Sequence, residues 1–226
     1  MERVLFCWSG GKDSALALYE IIQGQIYEVV SLLTTVTEDY NRVSMHSTPR
    51  VLLEQQAECL GLPLEIVYIP KDCSIKEYGA RMQETLTRFK QDGVLSVVFG
   101  DIFLEDVRKY RENNLVKIEM QAVFPLWGRD TVTLAQTFVA LGFEAITTCI
   151  DSRVLDKGFI GRTIDESFLS ELPPGVDPCG ENGEYHSFVL NGPVFKERVD
   201  CTHGEVVLRD SFCFCDLLQK ETTITN

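Results

Sequence analysis

Phe6-Cys7-Trp8-Ser9-Gly10-Gly11-Lys12-Asp13-Ser14-Ala15-Leu16 is the stretch on which the reading of this chain turns. The apolar run Val4 to Trp8 stops at Ser9 and Gly10, and a helical pattern starts near Asp13. A strand that ends in a glycine-rich turn and leads directly into a helix aims its backbone amides at whatever lies above the strand end, which makes an anion site. The spacing is not that of a P-loop, which needs a second glycine directly before a Lys-Ser or Lys-Thr pair. Here Asp13 follows Lys12.

Outward from the turn, short continuous apolar runs recur at Val29 to Leu33, Leu64 to Ile69, Val94 to Phe99 and Ala122 to Phe124. Such runs are the pattern of parallel strands covered on both faces. Helical patterns separate them. Ile75, Tyr78, Met82, Leu86 and Phe89 fall on one helix face, and another helix is expected after the Thr48-Pro49 cap, stopping at Gly61. Strands alternating with helices predict an α/β fold, a doubly wound parallel sheet that binds ligands at the carboxyl ends of its strands. That rule adds Thr34, Thr35 and Met45-His46-Ser47 after the second strand, and Gly100-Asp101 after the fourth, to the rim that carries the turn.

The character of the chain changes in its second half. A helix Val132 to Leu141 and a strand Ala145 to Ile150 precede Pro173 to Glu184, where three prolines and three glycines in twelve residues rule out a regular element. Beyond Tyr185, Val194 to Val199 and Val206 to Leu208 alternate as antiparallel strands do. A domain boundary is expected near Pro125, dividing residues 1–125 from a smaller α+β domain over 126–226.

With 226 residues, 45% of them hydrophobic, the chain can bury a substantial core, and its eight cysteines are expected to be reduced thiols. No apolar run approaches the ~20 residues of a membrane span. The apolar residues behind Met1-Glu2-Arg3 are too few for a secretory leader, so a cytoplasmic protein without a membrane partner is expected. A net charge of −13 repels a phosphate backbone and disfavours nucleic acid, but it suits a cationic target. A homo-oligomer is compatible with the sequence.

Ser9-Gly10-Gly11-Lys12-Asp13-Ser14 resembles the PP-loop, Ser-Gly-Gly-x-Asp-Ser, of the ATP pyrophosphatases, which have an adenine nucleotide alpha-hydrolase-like sheet of HUP type. The string Gly175-Val176-Asp177-Pro178-Cys179-Gly180-Glu181-Asn182-Gly183-Glu184-Tyr185-His186-Ser187-Phe188-Val189 adds a second marker. Together they resemble the diphthine-ammonia ligase (diphthamide synthetase) family, in which a PP-loop domain precedes a smaller domain marked by Gly-Glu-x-Gly-Glu-Tyr/Phe. The likeness runs from Val4 to about Phe195 and includes Met45-His46, Gly100-Asp101-Ile102 with Arg108 and Glu112, and Pro125-Leu126-Trp127. Asn182 departs from the family's usual glycine, Tyr110 stands where many members carry arginine, and the Cys179 to Glu184 string is similar to bacterial-type members.

The resemblance implies an enzyme that uses ATP and Mg²⁺ to adenylate a carboxylate, diphthine on an elongation factor, and then transfers ammonia to it. Ser9, Gly10, Gly11, Lys12 and Ser14 would take the phosphates, with Lys12 either a phosphate contact or a solvated charge. Asp13 would hold Mg²⁺ or fix the turn. Leu33 and Thr34 would lie against adenine, His46 and Gly100 on the nucleotide side. Asp101 would meet ribose or Mg²⁺, or else cap the following helix. Trp127 and Tyr185, with Glu181 and Glu184, have the composition of a cage for a quaternary ammonium, while core packing is the alternative for Trp127. Glu181, Glu184 and His186 are the candidates for catalysis, Glu184 or His186 as the base that takes a proton from ammonium.

Three other readings are weighed. A sulfur-inserting enzyme acting on tRNA would bring a catalytic Cys-x-x-Cys pair, whereas Cys213-Phe214-Cys215 has one residue between. A nucleotide-sensing module would share the sheet without turnover. The same adenylating chemistry could also serve a different small carboxylate.

Overall fold

β1 (Glu2–Cys7) shows why an unbroken apolar run means a covered strand. Val4 and Phe6 point into one apolar cluster, and Leu5 between them points into another on the opposite face. Around it β2 (Tyr27–Thr37), β4 (Leu64–Ile69), β5 (Ser96–Val98) and β6 (Gln121–Val123) form a parallel sheet in the order β4-β2-β1-β5-β6. A two-residue strand, β3 (Arg42–Val43), joins the far end of β2 in antiparallel sense.

Helices cover both faces. The first layer holds α1 (Lys12–Gly24) and α2 (Arg50–Leu60), and the second holds α3 (Ile75–Gln91) and α4 (Glu105–Val116). This is the doubly wound α/β sheet expected from the strand-helix alternation. The computed structural model describes residues 1–40, 42–43 and 48–220, so Met45, His46 and Ser47 lie outside the described residues. Among the described residues no helix is long and apolar enough to cross a membrane.

Two helix details depart from expectation. Ile75, the first residue of α3, is 78% exposed, so the apolar face of that helix begins at Tyr78. α2 starts after Pro49 with no side-chain cap, and the Thr48 hydroxyl has no partner.

A second, smaller sheet follows α5 (Thr131–Ala140). Its strands β7 (Glu144–Asp151), β8 (Tyr185–Asn191), β9 (Cys201–Arg209) and β10 (Phe212–Gln219) are antiparallel in the order β8-β7-β10-β9, and α6 (Glu166–Glu171) sits between the first two in sequence. The expected strand Val194 to Val199 is irregular chain instead. Pro193 lacks a donor, the Phe195 amide turns back to the Gly192 carbonyl at 3.0 Å, and the Lys196 amide reaches the Cys59 carbonyl at 2.7 Å.

The two sheets share one apolar cluster, in which Trp8, Leu53 and Leu16 meet Phe188 and Val189. A polar staple runs through it. The fully buried Gln56 accepts from Trp8 Nε1 at 2.9 Å and donates to the Gly10 and Val189 carbonyls at 3.0 and 2.7 Å. The Val189 amide also bonds the Gly10 carbonyl at 2.9 Å. The start of the glycine-rich turn is therefore fixed by a helix of the first half and a strand of the second.

Candidate functional site

A cavity of about 390 Å³ opens where β1, β2 and β5 end, and the Gly180 to Ser187 segment closes one side of it. Two glycines permit the crowding there. Gly10 has φ +81°, and a Cβ on it would meet Gln56 and Leu53 at 2.8 Å. A Cβ on Gly100 would lie 3.1 Å from the backbone of Asp13 and Ser14, so the exit of β5 touches the first turn of α1 only because glycine stands there.

The turn is laced by its own hydroxyls. Ser9 Oγ and Ser14 Oγ are 2.6 Å apart, the Ser9 amide donates to Ser14 Oγ at 3.2 Å, and the Gly11 amide to Ser9 Oγ at 3.3 Å. Ser9, Gly11, Lys12, Asp13 and Ser14 line the cavity, whereas Gly10 lies behind it. The Lys12 amide is already bonded to Ser187 Oγ at 3.1 Å. One of the amides expected to face phosphate thus holds the second sheet in place.

Lys12 is not a solvated charge. Its side chain is 5% exposed, with Nζ 2.9 and 2.7 Å from the two Asp13 oxygens, in contact with the Cys179 carbonyl, and 5.2 Å from the centre of the Tyr185 ring. Burial alone would favour the neutral amine, but the Asp13 carboxylate in contact outweighs it and holds the Lys12 pKa above its usual value. Asp13 keeps 30% of its side chain accessible at the cavity.

Leu33, Thr34, Gly100 and Asp101 also line the cavity. Asp101 does not cap the following helix, whose N-cap is Leu104. Its carboxylate lies 2.7 Å from Arg111 Nε, and Arg111 stacks 4.3 Å from the Phe99 ring centre. Arg111 was not singled out in the sequence. Its one visible signal is its place three residues after Arg108, on the same face of α4.

The three candidate acid–base residues separate. Glu181 lines the cavity, its Oε1 accepts from the Ile102 amide at 3.0 Å, and burial raises its pKa to about 7, assisted by Asp13 and Asp101 against the opposing Ile102 amide and Lys12. His186 also lines the cavity, and burial together with the Lys12 charge lowers its pKa to about 4, so its imidazole is neutral at physiological pH.

Glu184 does not line the cavity. It is 8% exposed and ties its own loop, accepting from the Asp177 amide, the Asn182 amide and Asn182 Nδ2 at 3.0, 3.0 and 3.1 Å. Glu184→Ala is therefore expected to raise amide hydrogen exchange of Asp177 and Asn182 by tenfold or more, about 1.4 kcal/mol of local stability. Unchanged protection by mass spectrometry would deny Glu184 this role.

The aromatic cage is not assembled. Trp127 stands outside the cavity, 5.8 Å from Phe124 and 4.6 Å from the Arg108 guanidinium, which also pairs with Glu112 at 2.7 Å. Tyr185 does line the cavity, but it is 2% exposed, bonds the Pro178 carbonyl at 2.5 Å and has Lys12 over its ring. Tyr185, Phe99 and Trp127 each already carry a cation of the protein. The cavity's two cysteines, Cys7 and Cys179, are both pushed up to about 12 by burial, which favours the thiol over the nucleophilic thiolate.

Comparison with known proteins gives one consistent answer. The family described as the diphthamide synthase N-terminal domain matches residues 2–121, and that described as the diphthamide synthase C-terminal domain matches residues 130–223. Diphthine–ammonia ligase of Danio rerio is 26% identical over 94% of this chain and 91% of its own length. The protein of the same name from Homo sapiens is 25% identical over 94% of this chain and 87% of its own. That of Schizosaccharomyces pombe is 27% identical over 96% of this chain, which corresponds to 39% of the relative.

Proposed function

Because the chain belongs to the diphthamide synthase family, we propose that it is an ATP-dependent ligase that adenylates a carboxylate with release of pyrophosphate and then transfers the acyl group to ammonia. Ammonia cannot displace oxide from a carboxylate, and the anion repels nucleophiles. Joining the carboxylate to AMP supplies a leaving group and removes the charge. In this reading residues 1–125 bind the nucleotide and residues 126–226 receive the acyl substrate.

The observation that carries the reading is the shared cavity. The Ser9 to Ser14 turn and Glu181, from opposite halves of the chain, line the same 390 Å³ space. Ser9, Ser14 and the amino end of α1 hold the triphosphate, and the buried Lys12 ammonium stabilises charge growing on the departing pyrophosphate. Mg²⁺ takes oxygen donors, one or two carboxylates beside the phosphates. Both carboxylates already pair with a cation of the protein, Asp13 with Lys12 and Asp101 with Arg111, and Asp13, 30% exposed at the cavity against 14% for Asp101, fits that role better. There the metal would neutralise phosphate charge. Leu33 and Thr34, at the cavity wall, would lie against adenine.

Glu181 is the base for ammonium. A carboxylate with a pKa of about 7 takes a proton far better than an ordinary one and is half ionised at neutral pH. Diphthine, the acid in the relatives' names, is the acyl substrate proposed first. Its cation would be met by the negative charge at the cavity wall, to which Asp13 and Glu181 contribute.

The test is release of AMP and pyrophosphate that depends on both a carboxylate and ammonia. Glu181→Gln is expected to keep ATP binding and adenylation and to slow amide formation by about 10²-fold or more. The wild-type amide-forming step is expected to rise with pH through about 7, and the variant to lose that step in the profile. Tight ATP binding with no product from any carboxylate tried would favour the sensing module instead.

A further inference from the structure

β9 is the outer strand of the antiparallel sheet, and among the described residues its outward edge pairs with no other strand. Nine-residue edges are normally blunted by charge, proline or a bulge, because their free amides and carbonyls invite another strand. This one has a register shift between His203 and Val206, but Val206 to Arg209 run in unbroken register with β10 beyond it, and that stretch is largely aliphatic. Val206, Val207 and Leu208 are 55%, 36% and 52% exposed. Val206 stands opposite Cys215 and Leu208 opposite Cys213, both buried, so these two residues carry a core face past the rim of the sheet. Val207 stands opposite Phe214 on the other face, flanked there by Glu205 and Arg209.

We propose that β9 pairs antiparallel with β9 of a second copy of this chain, about a two-fold axis at Val207, joining the two four-stranded sheets edge to edge. In such a pair, residues standing opposite each other lie on the same face, so the axis can sit at only a few residues. With the axis at Val207, Glu205 of each copy faces Arg209 of the other, and Val206 of each faces Leu208 of the other. Every pair is matched in charge or in apolar character. An axis at Glu205 or at Arg209 sets like charges opposite each other. An axis at Val206 puts Glu205 opposite Val207, and one at Leu208 puts Arg209 opposite Val207. Neither Glu205 nor Arg209 has an ion-pair partner in its own chain among the described residues; the Arg209 guanidinium lies 5.9 Å from the Phe214 ring centre, a contact that leaves its charge without a carboxylate.

Light scattering across roughly 1 to 100 µM protein is expected to find a dimer. Glu205→Arg and Arg209→Glu each turn two attractive cross-strand pairs into repulsive ones. Each is expected to raise the dimer dissociation constant about tenfold or more. The double variant Glu205→Arg with Arg209→Glu restores both pairs with their signs exchanged and is expected to dimerise like the wild type. Circular dichroism of each variant reports folding, and recovery in the double variant separates pairing from misfolding. A wild type that is monomeric throughout, a dimer indifferent to the single changes, or a folded double variant that stays monomeric would overturn the proposal.

Discussion

Asp13→Asn is expected to fold and to lose AMP formation by about 10³-fold or more, the scale of removing a group that stabilises transition-state charge. Asparagine keeps the volume and one oxygen for Lys12 Nζ, which also retains the Cys179 carbonyl and the Tyr185 face. What it loses is the negative charge at the cavity wall and with it the proposed Mg²⁺ ligand. Asp13→Ala goes further, because it takes the acceptor oxygen as well as the counter-charge from a nearly buried ammonium. Breaking a buried pair costs about 3–5 kcal/mol, and the 30% exposure of Asp13 brings the expected loss below that range. Pyrophosphate release and thermal melting together decide the matter. Loss of activity in both variants, with a smaller loss of stability in Asn than in Ala, fits the assignment, while wild-type turnover in Asn removes Asp13 from the chemistry.

The backbone of this site was legible in the sequence because local chemistry specifies it. Val4 to Trp8 reads as a strand covered on both faces, and β1 is one; Ser9 to Ser14 reads as the turn that leaves it for a helix, and all of its residues but Gly10 line the cavity. Thr34, Gly100 and Asp101 followed from the rule that ligands sit at strand carboxyl ends, and all three line the cavity. The expected strand at Val194 to Val199 failed because apolar alternation was read without the effect of Pro193.

The direction of individual side chains was not legible, because distant partners set it. Glu181 and Glu184 stand three apart in one loop and look alike in sequence. One reaches the Ile102 amide 79 residues away and faces the cavity, and the other turns back on Asp177 and Asn182. In sequence Lys12 reads equally as a phosphate contact or a solvated charge, and the carbonyl it contacts belongs to Cys179, 167 residues on. Trp127 had the right chemistry for a cage, yet Arg108 on a neighbouring helix covers it.

Gln56→Leu is the change expected to damage the fold most for its size. Leucine nearly matches the volume, but it leaves Trp8 Nε1 buried without an acceptor and removes the donor bonded to the Val189 carbonyl. The Gly10 carbonyl retains only the Val189 amide. An unsatisfied buried group costs about 1–3 kcal/mol, so two of them should lower the unfolding free energy by about 2–6 kcal/mol. That is a large share of the roughly 5–15 kcal/mol a domain possesses. Trp8→Phe removes the indole donor and leaves Gln56 Oε1 unpaired, a smaller loss of about 1–2 kcal/mol. Because both changes break the Trp8–Gln56 bond, the double variant should lose less than the sum of the singles in urea unfolding. Strict additivity would mean that the two side chains act independently.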